Sequence, residues 1–125
     1  MGAIGSPESL AVLKEFCSDP RPEVSETCQL AVQRIEWLMD DKKKTDIDNA
    51  FKENPYCSVD PTPPIQEKCT EKLKQILLDE NLPLFERYRA MFALRNKGDD
   101  DSVAALAEGN ALLTYKYYTS TINIL

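Results

Sequence analysis

The chemistry open to this 125-residue chain is bounded first by a residue type it lacks, because it contains no histidine. Without an imidazole there is no Ser–His or Cys–His nucleophilic pair, no histidine general base and no histidine-ligated metal centre. Metal binding would fall to carboxylates, which cluster at Asp40-Asp41 and at Asp99-Asp100-Asp101. Oxygen ligands alone can hold magnesium or calcium. Neither cluster has EF-hand spacing, however, and the second precedes a helix start, where anionic side chains are stabilising without any ion. Structural capping is therefore the preferred reading. The cysteines, Cys17, Cys28, Cys57 and Cys69, form no C-x-x-C pair. Their spacing matches no zinc or redox motif. Cys17 and Cys28 fall at apolar helical positions, so core packing in a reduced, intracellular protein is expected. The glycines, Gly2, Gly5, Gly98 and Gly109, form neither a P-loop nor a dinucleotide-binding pattern. No catalytic, cofactor-binding or metal-ligating residue is assigned from the residues themselves.

One further group has binding potential. Phe85, Tyr88, Arg89, Phe92 and Arg95 share part of a helix surface. Aromatic–arginine surfaces form partner-binding hot spots, but at helical spacing they more often pack between repeats, with arginines extending their heads to the edge.

The elements that carry these residues follow from periodicity. Ser6 and Pro7 suit a helix start, and Leu10, Leu13, Phe16 and Cys17 recur at helical spacing to about Cys17. Asp19-Pro20 breaks the helix. A second helix from near Pro22 carries Val24, Cys28, Ala31, Ile35 and Leu38 on one stripe, with Trp37 beside it. Asp40 to Pro64, with Lys42-Lys43-Lys44 and Pro61-Thr62-Pro63-Pro64, has no period and reads as a linker, partly polyproline-like and partly disordered. A third helix over about Ile65–Leu78 carries Cys69, Leu73, Ile76 and Leu77. A fourth runs from Pro83 to about Asn96 and presents Leu84, Tyr88, Met91, Phe92 and Leu94, ending at Gly98 in a left-handed cap. A short fifth helix, Ser102 to Glu108, turns Val103 and Leu106 inward and closes at Gly109. Asn110 to Leu125 is rich in aromatic and β-branched residues that disfavour a helix. It reads as a divergent tail.

Repeats are visible in register. A shift of 60 lays Leu13-Lys14 over Leu73-Lys74, Asp19 over Asp79, Val24 over Leu84 and Glu26 over Glu86; a shift of 93 lays Gly5 over Gly98, Leu10 over Val103 and Leu13 over Leu106. The unit is a helix pair of roughly 35 to 40 residues, within or near the HEAT and armadillo range. The fold expected is all-α: a HEAT-like α-solenoid of antiparallel helix pairs interrupted by a long linker. Residues 1–39 form one helix pair, 40–64 the linker, 65–109 the next helices and 110–125 the tail. With about two and a half repeats, marginal stability is expected, because such arrays need about three.

The net charge of −6 argues against nucleic acid, which needs clustered Lys and Arg, and would tolerate a basic partner. No stretch approaches the ~18 apolar residues of a membrane span. The N-terminus lacks the basic start and apolar run of a secretory signal. Gly2 and Ser6 superficially fit a myristoylation pattern, but Ser6-Pro7 reads better as a helix start.

The stretches Gly2-Ala3-Ile4-Gly5, Val24-Ser25-Glu26-Thr27-Cys28-Gln29-Leu30-Ala31-Val32, Glu36-Trp37-Leu38, Ser58-Val59-Asp60-Pro61-Thr62-Pro63-Pro64 and the run Leu84 to Asn96 resemble deoxyhypusine hydroxylase. The resemblance covers about residues 2 to 109. It implies two HEAT-repeat halves joined by a long linker, in a cytoplasmic non-haem iron monooxygenase. In that family a di-iron centre, held by His-Glu pairs from both halves, activates dioxygen to hydroxylate the deoxyhypusine side chain of a translation initiation factor. This chain departs from the pattern, because Tyr115-Lys116 stands where one His-Glu pair is expected and Gly2-Ala3-Ile4-Gly5 lies just downstream of the other. The resemblance thus implies a partial chain, inactive by itself, to which iron is not expected to bind. The alternative is a non-catalytic helical-repeat module that binds a protein through the Phe85–Arg95 surface or the acidic exterior.

Overall fold

The computed structural model describes the backbone of residues 6–40 and 54–122, with side chains to residue 111. Among the described residues all regular structure is helical. A 3₁₀ turn, Pro7–Ser9, leads into α1 (Leu10–Phe16), followed by α2 (Pro22–Met39), α3 (Thr70–Leu78), α4 (Leu84–Lys97) and α5 (Asp100–Ile122). Ser6 leads the chain into the turn and donates its hydroxyl to Glu8 at 2.7 Å. Helices α1 and α2 pack as one hairpin and α3 and α4 as another, with α5 lying against both α3 and α4.

The 60-residue repeat is a repeat of mechanism as well as of letters. Asp19 accepts the Arg21 N–H at 2.9 Å in the turn before α2, and Asp79 accepts the Asn81 N–H at 2.9 Å in the turn before α4. Each carboxylate closes the tight turn that reverses the chain. Leu13 and Leu73, also equivalent, are core residues of their own hairpins. At the end of α4, Gly98 adopts φ 66°, and its N–H closes on the Leu94 carbonyl at 3.1 Å. This left-handed cap needs a residue without a Cβ.

The two apolar cores are separate. The first consists of Leu13, Val32 and Ile35, flanked by Leu10, Cys17, Cys28 and Ala31. The second joins Leu73, Leu77, Ala90, Leu94 and Ala105 from three helices. Within α2, Val32 and Trp37 are buried along with Ile35. Trp37, expected beside the stripe, instead faces the second hairpin.

Three expectations give way. The third helix begins at Thr70 rather than Ile65, because the Ile65 N–H is taken by the Arg89 carbonyl at 3.3 Å. Glu67 meanwhile accepts the N–H groups of Lys68 and Cys69, each at 2.9 Å, and so provides acceptors ahead of the helix. Leu106 packs partly buried against the second core as expected, but Val103 does not lie on the inward face of α5. Val103 is 57% exposed, whereas Ser102, Ala105 and Gly109 are buried. Small residues let the helix axes approach. A Cβ built on Gly109 would lie 2.7 Å from Leu77 Cδ2. Gly109 is therefore a close-packing residue and not a helix stop. The third correction follows from the second, since α5 continues through residues 110–122, where a non-helical tail was expected. Extending a helix already formed costs each poor residue at most about 0.7 kcal/mol, a small term beside the difficulty of nucleation.

Candidate functional site

The run Leu84 to Asn96 places Arg89, Phe92 and Arg95 at helical spacing on α4. That surface meets two things: the last turn of α2, and an irregular strap, residues 54–65, that belongs to the segment read as a linker. Arg89 lies over the Trp37 ring at 5.7 Å and donates from Nε to the Pro63 carbonyl at 3.2 Å. Its Nη1 reaches Glu86 at 3.4 Å. Arg95 lies near two rings, 4.7 Å from the Phe92 centroid and 4.9 Å from that of Tyr56. Its fork clasps Asp60, Nη1 to Oδ1 at 2.9 Å and Nη2 to Oδ2 at 2.7 Å. A planar guanidinium suits this combination of stacking and two-pronged pairing, which an ammonium cannot reproduce.

Asp60 is also reached from the other hairpin. Arg34 of α2 donates from Nη1 to the Asp60 carbonyl. Ser58 Oγ donates to Asp60 Oδ1 at 2.7 Å, and Asn54 Nδ2 donates to Oδ2 at 3.1 Å. Burial of Asp60 works to raise its pKa, but the bonds from Arg95 and Ser58 and the Arg95 charge outweigh it, and the carboxyl titrates below its ordinary value. Burial lowers the pKa of Arg34, with the Asp60 charge opposing. Thr62 and Pro64 are buried, so the strap is inserted into the structure rather than draped across it.

The Phe85–Arg95 surface is therefore occupied by the chain's own strap and by Trp37, which removes it as the free docking face of the alternative reading. The strap escaped periodicity because its signal is not periodic. Its trace in the sequence is a surplus of arginines on α4 requiring acceptors elsewhere, and an aspartate between Ser58 and the Thr62-Pro63-Pro64 stretch.

Of the acidic clusters, the second supplies a cap. The Asp99 carboxylate accepts the Ser102 N–H at 2.8 Å at the start of α5. The Ser102 side chain and the Lys97 ammonium beside it, with that N–H, bring its pKa down to about 2. Asp100 and Asp101 lie in the first turn of α5. Asp41, Lys42-Lys43-Lys44 and Gly2-Ala3-Ile4-Gly5 lie outside the described residues. Tyr115 and Lys116 are in the helical stretch whose side chains are not described. All four thiols are free. Cys17 and Cys28 are half-buried against the first core as expected, whereas Cys57 and Cys69 are exposed.

Among the described residues no group of three or more Cys, Asp or Glu converges to hold a metal ion, and the chain has no histidine. Among the described residues the donor set does not fit an iron centre. No helix among the described residues is long and apolar enough to cross a membrane.

Comparison with known proteins places this architecture. The PBS lyase HEAT-like repeat family matches residues 86–109. Over 109 residues the chain is 57% identical to deoxyhypusine hydroxylase of Danio rerio and 54% identical to that of Homo sapiens. These matches cover 87% of this chain but 35% and 34% of those proteins. The structure of human deoxyhypusine hydroxylase in complex with glycerol superposes with a TM-score of 0.75 at 54% identity, covering 86% of this chain and 35% of that one. The chain spans about a third of the length of the curated relatives it matches.

Proposed function

We propose that this chain, which over its matched residues is similar to deoxyhypusine hydroxylase in both sequence and fold, is the scaffold part of a protein of that activity. The whole protein would hydroxylate the deoxyhypusine side chain of a translation initiation factor. This chain contributes the helix pairs and the strap that hold the reactive stations apart, and iron and dioxygen chemistry take place on residues it does not contain. In this reading residues 1–39 close the first repeat half, 40–64 connect, 65–109 open the second, and 110–125 continue beyond the part resembling the family. The observation that carries it is 57% identity across 109 residues combined with a chain that has no histidine. The four free thiols support a cytoplasmic location.

Iron titration of the purified chain, paired with a hydroxylation assay on the deoxyhypusine-bearing factor, tests the proposal. The expected result is neither stoichiometric iron nor turnover. Stoichiometric iron with turnover would overturn it. The acidic exterior, with a net charge of −6, leaves room for salt-sensitive contact with a basic factor. A pull-down of that factor at low and high salt reads this contact separately from chemistry.

A further inference from the structure

The two hairpins share no apolar core. The first core is built from α1 and α2 alone and the second from α3, α4 and α5, with no residue in common. A groove of about 280 Å³ opens between them, lined by Gln33, Glu36, Trp37, Pro83, Phe85 and Glu86. Their relative orientation must therefore be held by something other than shared core packing. One point of attachment is Trp37 of α2 beneath Arg89 of α4. Around this point α2 packs directly against α4, without a core common to both hairpins. A second point, displaced along both helices, restrains rotation about the first.

We propose that Asp60 is this second point and that it is a positioning residue: a strap carboxylate that fixes the angle between the two helix hairpins. It is gripped from both sides, its carbonyl by Arg34 of α2 and its carboxylate by the Arg95 fork of α4. Arg34 lies one turn before Trp37, and Arg95 lies six residues beyond Arg89. The two attachments therefore form a baseline along each helix. Tyr56 and Phe92 both lie within cation–π distance of the Arg95 guanidinium and help to hold the fork where it meets the carboxylate. Asn54 and Ser58 use their side chains to hold Asp60 from within the strap. An ion pair with side chains only 26% and 11% exposed is protected from the screening that weakens surface pairs. The assignment concerns orientation within this chain and stands apart from the hydroxylase reading.

Trp37 is the single tryptophan and lies at the first attachment, so its fluorescence reports the junction directly. The test is acrylamide quenching of Trp37 in the full chain, with helix content followed by far-ultraviolet circular dichroism. Asp60→Asn and Arg95→Gln are each expected to raise the quenching constant roughly three-fold at unchanged helix content, as local opening without global unfolding would. The double variant should match either single one, because both remove the same interaction. Arg95→Lys keeps the charge but loses the fork, so it should fall between wild type and Arg95→Gln and can be read even if a harsher variant fails to fold. Wild-type quenching in Asp60→Asn or Arg95→Lys would overturn the proposal. So would helix content falling in step with quenching, since that would make Asp60 a support for the helices and not for their angle.

Discussion

The two helical units are built on one plan but closed differently. In the first, α1 has seven residues and covers one side of α2, with Val12 and Phe16 still 46% and 42% exposed on α1. In the second, α5 adds a third layer, and Leu73, Ala90, Leu94 and Ala105 are essentially removed from solvent. A repeat of this kind cannot bury both faces of a helix within one pair, so its solidity depends on having a neighbour on each side. The second unit has such a neighbour in α5. Among the described residues the first meets its neighbour through the packing of α2 on α4 around Trp37 and through the strap.

That contrast can be broken or sharpened by matched substitutions. The largest effect is expected from the same chemical change made in both cores. Leu94→Ala should cost about 4 kcal/mol and Leu13→Ala about 2 kcal/mol in urea unfolding, because a site open at one edge collapses more readily than a closed one. Equal costs would mean that the first core is as closed as the second. Next is the α3–α5 contact, where Gly109→Val should destabilise the second unit by about 2 kcal/mol through overpacking against Leu77. Gly109→Ala should cost less, since the better helix former returns close to 1 kcal/mol. A smaller effect comes from the cap of α5, where Asp99→Ala should lower the melting temperature only slightly. A thermal melt followed by circular dichroism would measure it.

The smallest separation between the units is expected in acid. Asp19 is brought down to about 2 by its bonds from the Arg21 guanidinium and N–H, and Asp99 reaches about 2 in the second unit. Both native pKa values lie below the ordinary 3.8, so each carboxylate contributes stability that is fully present above that value. Both contributions should be lost as the pH falls from about 4 towards about 2, in step with each other. Replacing Asp19 with Asn should remove the acid dependence contributed by the first unit and leave that of the second, as read from unfolding midpoints across this range.

The repeat could be read in the sequence because each of its parts is local. Asp19 and Asp79 each take a neighbouring N–H, Gly98 closes on a carbonyl one turn back, and Leu13 and Leu73 recur with the helical period. The strap could not be read this way. Asp60 lies 35 residues from Arg95 and 26 from Arg34, and no period connects them. The course of α5 was misread for a related reason. Propensity weighed the aromatic and β-branched residues from Thr114 onward over Ala111-Leu112-Leu113, and Gly109 looked like a terminator until Leu77 was brought against it.

By itself, the sequence determined the two helix hairpins and the turns within them, that a helix-pair unit recurs at a shift of 60, and that no imidazole is available for catalysis or iron. These depend on interactions within a few residues, or on composition alone. Only the tertiary structure decided that the aromatic–arginine face is filled from within, that a glycine joins two helices instead of ending one, and that a linker aspartate bridges the hairpins. Such features depend on atoms brought together across a folded distance. There, burial and charge pairing outweigh the local preferences that a linear pattern records.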